Sequence, residues 1–220
     1  YNGKPSKKEI SWLNHSSIQL DRLLLKQSKK KAWIKEVELI QERLSDEVID
    51  KAFLNLPKEF SEELVNNIKF NLKKRRDNLF KIALEYYSQM QKLVLLRATN
   101  KMDFIFLKSM EGGKVKVVFK DNNGSVLSTK IYSENETDEI WIYGLGGKDF
   151  IDIDKTITSS INVKVIGGKE VDNIKVKNAS NTTIYSYKSE KDNIESESSS
   201  ITKKIYSDKY DYNTYDIKKD

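Results

Sequence analysis

The feature that most constrains this chain is a change in the spacing of its apolar residues near residue 100. Before that point they recur every three or four positions, as in an amphipathic helix, and after it they alternate with polar residues, as in a half-buried β-strand. No glycine lies between Lys4 and Met110, so no glycine interrupts the helical pattern. We therefore predict an α+β fold, with an N-terminal helical bundle followed by a small all-β domain that is either a sandwich or a stacked meander.

The helical half, residues 1–99, has its clearest amphipathic pattern at 61–96. Ser61 followed by two glutamates is typical of a helix N-terminus, because a serine oxygen accepts a free backbone N–H and acids favour the first turn. Pro57 separates this helix from a short one at 46–55. Two further amphipathic stretches lie upstream, so the sequence predicts a bundle of four helices with short connections.

A basic cluster at residues 73–76 interrupts the apolar stripe of the 61–96 helix, whose next position falls at Arg75 or Arg76. One interpretation puts both arginines at the edge of the stripe, with packed alkyl stems and hydrated guanidinium groups. A second has one arginine bind a carboxylate, either Asp77 or an acid of another helix, and so determine how helices dock. The third is a nucleic-acid surface, although the cluster lacks the interleaved aromatic residues typical of a single-strand binder.

Residues 100–190 consist of short alternating runs separated by turn signals, which predicts an all-β domain. The Asn123–Gly124 pair is the strongest of these signals, because Asn-Gly favours the tight turn of a hairpin. The final segment, residues 191–220, is polar and contains spaced tyrosines. We predict that it forms an extended or disordered linker.

The most motif-like stretch of the β half is YGLGGKDFIDI, which contains Gly144, Gly146 and Gly147. It is not a phosphate-binding P-loop, because no Lys-Ser/Thr pair follows the glycines and the next element reads as a strand. The same following strand excludes the dinucleotide-binding fingerprint, which opens a helix.

A second copy of this motif begins at Gly167 and Gly168. A shift of 23 residues aligns Gly144 with Gly167 and Asp149 with Asp172, so both copies read G-x-x-x-x-D-x-I. We interpret the copies as structural corners between strands, in which glycine permits a positive φ and aspartate binds its own turn.

The alternative for this pair is a calcium-binding β-module, because the copies are degenerate forms of the calcium-binding nonapeptide repeat. Asp149 and Asp172 would then be the metal ligands. Leu145 and Glu170 weaken this alternative, since each occupies a position where the nonapeptide has glycine.

Composition excludes several classes of function. The chain has no cysteine, and therefore no disulfide, no thiolate metal site and no cysteine nucleophile. Its one histidine, His15, lies in a predicted amphipathic helix, and no hydrolase or metalloprotease motif is present. The net charge of +6 is spread along both halves, and no apolar run reaches the ~18 residues of a membrane-spanning helix. We predict no catalytic activity and no cofactor other than calcium.

Several stretches together resemble one region of large cell-envelope proteins of Bacteroidetes-type bacteria. They are LSDEVIDKAFLNLPKEF, LKKRRDNLFKIALEYYSQMQKLV, EIWIYGLGGKDFIDI and VKVIGG, and the resemblance covers about residues 12–190. In that family the region precedes a C-terminal surface-antigen-like β-barrel and follows a globular part that is metallophosphoesterase-like in some members. Lys148 stands where the family usually has aspartate, which weakens any inherited calcium site.

The resemblance implies a non-catalytic structural or interaction module of a larger envelope protein, located in the periplasm or at the outer membrane. Its partners would be the adjacent domains of that protein or other envelope proteins. The chain begins at Tyr1 rather than at a methionine, so we expect it to be a piece of a longer protein.

Overall fold

The chain divides into two compact units, one helical and one formed by β-strands, which meet in the sequence between Met90 and Gln91. The coarse prediction of a mixed α+β protein is therefore confirmed. The computed structural model describes residues 5–13, 15–25, 28–57, 59–156, 159–177, 181–197 and 202–206. Among the helices it describes, none has the length and apolar character that a membrane crossing requires.

The helical unit contains six helices within the described residues. They are α1 (Lys7–Leu13), α2 (Ile18–Leu25), α3 (Lys30–Arg43), α4 (Asp46–Ala52), α5 (Glu62–Asp77) and α6 (Leu79–Gln91). Ser61 caps α5 as expected, since its hydroxyl oxygen accepts the Leu64 N–H at 3.3 Å.

The helix predicted over 61–96 is broken in the structure into α5 and α6. The break is at Asn78, whose side-chain amide donates to the Lys74 carbonyl at 2.7 Å. Asparagine commonly competes in this way with the helical hydrogen bonds of the backbone. The last residues of the predicted helix form the first strand of the β unit.

The β unit has eleven strands within the described residues. They are β1 (Leu93–Arg97), β2 (Phe104–Met110), β3 (Lys114–Lys120), β4 (Val126–Ser133), β5 (Glu139–Leu145), β6 (Phe150–Asp154), β7 (Asn162–Gly168), β8 (Asn173–Lys177), β9 (Thr182–Ser186), β10 (Asn193–Ser196) and β11 (Thr202–Tyr206).

These strands form two sheets, and the chain passes from one to the other at every corner after β4. The five-stranded sheet has the order β1-β5-β7-β9-β11 and is entirely parallel. The six-stranded sheet has the order β10-β8-β6-β2-β3-β4, and only its β2–β3 and β3–β4 pairs are antiparallel. Each pair of strands from β5 onward is therefore one coil of a β-solenoid, stacked on the coil before it.

The inward-facing residues of both sheets form one hydrophobic core. Ile142 and Val165 of the five-stranded sheet and Ile151 and Ile174 of the six-stranded sheet are at most 1% exposed and belong to the same cluster. Parallel register places the same position of successive coils side by side, so the core is a set of aliphatic ladders.

The finer prediction of a sandwich or stacked meander describes this unit only in part. Antiparallel meander connections occur at β2–β3–β4, where Gly112, Gly113 and Gly124 have positive φ values in the turns. The remaining strands stack in parallel, because the chain crosses to the opposite sheet at each of their corners and does not turn back along the same sheet.

Two strands also lie in the segment predicted as a linker. β10 pairs with β8 and β11 pairs with β9, both in parallel, so residues 193–196 and 202–206 continue the coil stack. Because these two strands form their backbone hydrogen bonds with the previous coil, they do not require a strongly apolar sequence. The rest of the predicted linker from residue 198 lies outside the described residues.

Candidate functional site at the coil corners

Four buried aspartates stack at one corner of successive coils, and we call this set the aspartate column. Its members immediately precede β2, β6, β8 and β10, and the parallel pairing of those strands places them in line. Each of the four side chains is at most 7% exposed. The column consists of Asp103, Asp149, Asp172 and Asp192.

A chain of main-chain to side-chain hydrogen bonds joins the column. The Asp103 N–H donates to Asp149 Oδ1 at 2.8 Å, and the Asp149 N–H donates to Asp172 Oδ1 at 2.8 Å. The Asp172 N–H in turn donates to Asp192 Oδ1 at 3.0 Å. The carboxyl groups of Asp149, Asp172 and Asp192 thus each satisfy a backbone donor of the preceding coil, which a corner outside the regular sheet hydrogen bonds would otherwise leave unpaired.

Hydroxyl side chains complete both ends of the column. At one end the Thr99 N–H and hydroxyl each donate to Asp103 Oδ2 at 2.7 Å. At the other end the Asp192 N–H donates to the Ser186 hydroxyl oxygen at 2.9 Å. Among the described residues, the column therefore has a polar partner for its backbone donor at every level.

Gly144 and Gly167 leave room for the carboxyl groups of the column. A Cβ atom on Gly144 would lie 2.8 Å from Asp149 Oδ2 and 2.1 Å from the Gly167 carbonyl oxygen. A Cβ atom on Gly167 would lie 2.7 Å from both Asp172 Oδ2 and Asp192 Oδ2. These contacts are shorter than van der Waals packing allows, so the glycine of G-x-x-x-x-D-x-I is required by the aspartate five residues later.

The other glycines of the motif set the shape of the corner. Gly147 has a φ of +103°, and its N–H donates to Glu170 Oε2 at 3.0 Å. Leu145 pairs with Gly168 across β5 and β7, and both have positive φ, +76° and +144°. The first copy therefore keeps the left-handed backbone at Leu145 without the glycine that favours it. Gly146 has no such requirement, since the atom nearest to an added Cβ would be 3.6 Å away.

Burial raises the pKa of three aspartates of the column, Asp149, Asp172 and Asp192. Desolvation is the largest cause and raises the pKa of Asp149 to about 8 and that of Asp172 to about 7, with nearby carboxylates adding to it. The backbone hydrogen bonds to these carboxyl groups lower the pKa but do not overcome the effect of burial. Desolvation raises the pKa of Asp192 in the same direction. The folded state therefore favours the neutral carboxyl group at these three positions.

The geometry of the column does not match a metal site. Within the described part of the chain, no group of three or more histidine, cysteine, aspartate or glutamate side chains is placed to hold a metal ion. Asp149 and Asp172, the ligands of the calcium alternative, each have one oxygen engaged by a backbone N–H. Because a carboxyl group must be deprotonated to bind a cation, their raised pKa values also oppose binding.

A buried lysine lies at the opposite end of β6. Lys155 is 2% exposed, and its ammonium group donates to the Ile161 carbonyl at 2.9 Å. Desolvation lowers the pKa of this amine to about 8. This hydrogen bond to the backbone indicates that Lys155 supports the corner between β6 and β7.

Two members of the column, Asp103 and Asp192, were missed from the sequence. Asp149 and Asp172 each follow a conspicuous glycine, whereas the positions that strand register aligns with those glycines are Ala98 and Ser186 before the two missed aspartates. A shorter signal covers all four aspartates: each is followed two residues later by isoleucine, as in DFI, DFI, DNI and DNI. Unequal spacings of 46, 23 and 20 residues hide this repeat, since β3 and β4 are inserted in the first interval.

In the helical unit, the structure brings Arg76 to acids of α4 and α5. Its guanidinium group donates to Asp46 Oδ1 at 2.7 Å, to Asp77 Oδ1 at 2.8 Å and to the Leu44 carbonyl at 2.9 Å. Hydrogen bonding to Asp77 and Asp46 raises the pKa of Arg76. These contacts follow the interpretation in which an arginine determines how helices dock.

The other cations of the basic cluster have different surroundings. Lys73 Nζ lies 3.0 Å from Asp50 Oδ2 and 3.3 Å from Asp46 Oδ2, so it also joins α5 to α4. Arg75 is exposed and lines an apolar cavity of the helical unit. Lys73 and Arg76 are thus both engaged by carboxylates of the same unit.

No protein-family model matches this chain, and no curated protein or solved structure matches it.

Proposed function

We propose that the chain is a non-catalytic structural and interaction module, in which a stack of β-coils forms a rigid support for neighbouring domains. One observation carries this proposal: the buried aspartates at the coil corners bind the backbone of adjacent coils. The aspartate column has the buried, pKa-shifted carboxyl groups that are typical of active sites. Its hydrogen bonds nevertheless run along the stack from one coil to the next.

The resemblance in sequence supports a place for this module in a larger bacterial envelope protein. Its partners would then be adjacent domains of the same protein or other proteins of the periplasm or outer membrane. A coil stack suits this role because each coil contacts only its neighbours, so the array extends without a change in architecture.

A calcium-dependent β-module remains the second candidate, and one observation favours it. Asp149 Oδ2 and Asp192 Oδ2 are buried and have no hydrogen-bond partner among the described residues. A cation bound beside either oxygen would satisfy that oxygen.

Thermal unfolding with calcium and with a chelator separates the two candidates. A single site that binds only the folded state raises stability by about 2.7 kcal/mol at 100 times its dissociation constant. The structural proposal predicts the same unfolding temperature in millimolar calcium and in chelator. A calcium-dependent increase that disappears in an Asp149→Asn, Asp172→Asn double variant would replace it with the calcium module.

Binding of nucleic acid through residues 73–76 is tested separately. The structural proposal predicts no shift of DNA in a gel at low salt, because Lys73 and Arg76 already bind Asp46. Binding that weakens steeply with salt would instead indicate a phosphate contact surface.

A further inference from the structure

A small polar cavity opens at the start of three neighbouring strands of the five-stranded sheet. Its volume is about 400 Å³, and it lies where β5, β7 and β9 begin. The aspartate column is at the other end of these strands, next to Gly144 and Gly167. The polar residues that line the cavity are Glu139, Asn162, Lys164, Asn181, Thr182 and Thr183.

The stacking of coils brings these side chains together. Glu139 pairs with Asn162 across β5 and β7, and Lys164 pairs with Thr183 across β7 and β9. Neighbouring strands of a sheet are about 4.8 Å apart, so the side chains form a continuous polar row. Asn181 precedes β9 with a left-handed φ of +61°, and its carbonyl accepts the Val163 N–H at 2.8 Å.

An ion pair forms one wall of the cavity, and its lysine also contacts an aromatic ring. Lys164 Nζ lies 2.6 Å from Glu139 Oε1 and 4.4 Å from the centre of the Trp141 ring. The side chains of Lys164 and Glu139 are each 27% exposed, so both charges are partly removed from water yet remain accessible. The pair is neutral as a whole and keeps further hydrogen-bond capacity, because an ammonium has three donors and a carboxylate several acceptor positions.

The chemistry of the lining matches a neutral ligand with several hydroxyl groups. Amide and hydroxyl side chains both donate and accept hydrogen bonds, as sugar hydroxyls do. Because the charges of Glu139 and Lys164 cancel, the lining does not favour an anion or a cation. The volume is at the lower end of small-molecule sites, which gives room for roughly one or two sugar rings.

We propose that this cavity is a carbohydrate-binding site for one or two sugar units of a glycan, held by the Glu139–Lys164 pair and the surrounding amides and hydroxyls. The site would give the module a ligand of its own, in addition to its support of neighbouring domains. It does not involve the aspartate column, so the calcium experiment and a sugar titration can fail independently.

Calorimetric titration of the full chain tests the site with methyl glycosides of glucose, galactose, mannose and N-acetylglucosamine. We expect saturable binding of at least one of them, with a dissociation constant on the order of 1 mM. Lys164→Met should weaken that binding about tenfold or more, since it removes a charged hydrogen-bond donor. Asn162→Trp should abolish the binding by filling the cavity while leaving the ion pair in place.

Two matched controls lie on other parts of the β unit. Lys116→Met removes an exposed lysine of β3, and Asn123→Trp adds the same bulk in an exposed turn. Both should bind the sugar as the unchanged chain does. Thermal unfolding of each variant verifies that it is folded. If Lys164→Met does not fold, the outcome rests on Asn162→Trp.

Three results would overturn the proposal. The first is the absence of saturation with all four glycosides at their highest soluble concentrations. The second is equal weakening by the control variants, which would place the binding elsewhere. The third is saturable binding of inorganic phosphate or glycine in place of sugar, which would assign the ion pair to a charged ligand.

Discussion

The helical unit and the β unit bury their apolar side chains to different extents. Of the twelve largest fully buried side chains in the described residues, only Ile10 belongs to the helical unit. Conversely, thirteen of the seventeen exposed large hydrophobic side chains lie in the helical unit, and α5 contains no buried residue. Stacked strands therefore bury their apolar residues almost completely, whereas the helices leave much of their apolar surface open.

The two units also use polar groups differently. In the β unit the aspartates are buried and bind the backbone between coils. In the helical unit the principal polar contacts join α5 to α4 at the surface, through Lys73, Arg76 and exposed aspartates. An apolar cavity of about 680 Å³ remains in the helical unit, lined by Trp12, Leu72 and other side chains. The comparison predicts that the β unit is the more stable and the more sensitive to changes inside it.

A cavity in the aliphatic ladder of the β unit should lower stability more than any other change considered below. Ile151→Ala removes a side chain that is fully buried, and we expect a loss of about 2–5 kcal/mol in the free energy of unfolding. Hydrogen exchange read by mass spectrometry measures this loss for each unit separately. Ile131→Ala, at a site that is 55% exposed, should change stability by less than about 0.5 kcal/mol.

Ile49→Ala makes the corresponding cavity in the helical unit. Ile49 is 3% exposed, but it lies in a unit with a thin core that has room to relax. We expect a smaller loss than for Ile151→Ala. An equal or larger loss would show that the helical unit is packed as tightly as the coils.

The next effect tests the fit between glycine and aspartate at the corners. Gly167→Ala places a Cβ atom 2.7 Å from two carboxyl oxygens, and we expect a loss of about 1–3 kcal/mol from overpacking. Gly146→Ala is the matched control, because the nearest atom to its Cβ would be 3.6 Å away. Chemical denaturation measures both. Similar losses for the two variants would contradict a special requirement at Gly167.

The third effect is a dependence of β-unit stability on pH. The pKa values of Asp149 and Asp172 are raised to about 8 and about 7, above their value in the unfolded chain, so the folded state binds more protons between about pH 4 and pH 8. Stability is then fully present below pH 4 and is lost as the pH rises through 7 and 8. The slope reaches at most about 1.4 kcal/mol per pH unit for each group.

An isosteric variant identifies the source of this slope. Asp149→Asn keeps an oxygen for the Asp103 N–H but has no proton to lose, so it should be less sensitive to pH than the unchanged chain. Glu111→Gln, in an exposed turn, should keep the original slope. Melting temperatures from pH 5 to pH 9 provide the measurement. An unchanged slope in Asp149→Asn would mean that the column is already ionised when folded.

The smallest effect concerns the polar docking of the helices. Arg76→Met removes the donors to Asp46, Asp77 and the Leu44 carbonyl, and we expect a loss of about 1 kcal/mol, since the carboxylates are exposed to solvent. Lys35→Met, on an exposed face of α3, should have no measurable effect. Urea unfolding at low and high salt provides the test, and the loss should shrink as salt screens the ion pairs. A loss as large as that of Gly167→Ala would remove the contrast between the units.

Much of the fold was predictable because secondary structure depends on neighbouring residues along the chain. The alternation in DFIDI and NVKVIGG predicts strands with one apolar face, and that face is the buried one in the structure. The Ser61 cap was predictable for the same reason, since donor and acceptor are three residues apart. The break at Asn78 was missed because the apolar spacing continues across it.

The candidate site was only half predictable. Asp149 and Asp172 were found through their glycines, but their role depends on which strand each corner stacks against. Asp103 and Asp192 were missed because the interval between coils is not constant, and repeat detection assumes that it is. The cavity at Glu139 and Lys164 had no sequence signal, since its residues come from three different coils.

The sequence alone indicated that helix gives way to strand, which face of the strands is apolar, and that glycine and aspartate recur at corners, although the first strand begins at Leu93, inside the helix predicted over 61–96. Those properties follow from side chains a few positions apart, whose geometry is set by the local backbone. The tertiary structure decided that the strands stack in parallel, that four aspartates form one column, and that Arg76 binds Asp46. These depend on pairing between residues 20 or more positions apart, where the fit of whole coils and helices selects among many arrangements that are locally equivalent.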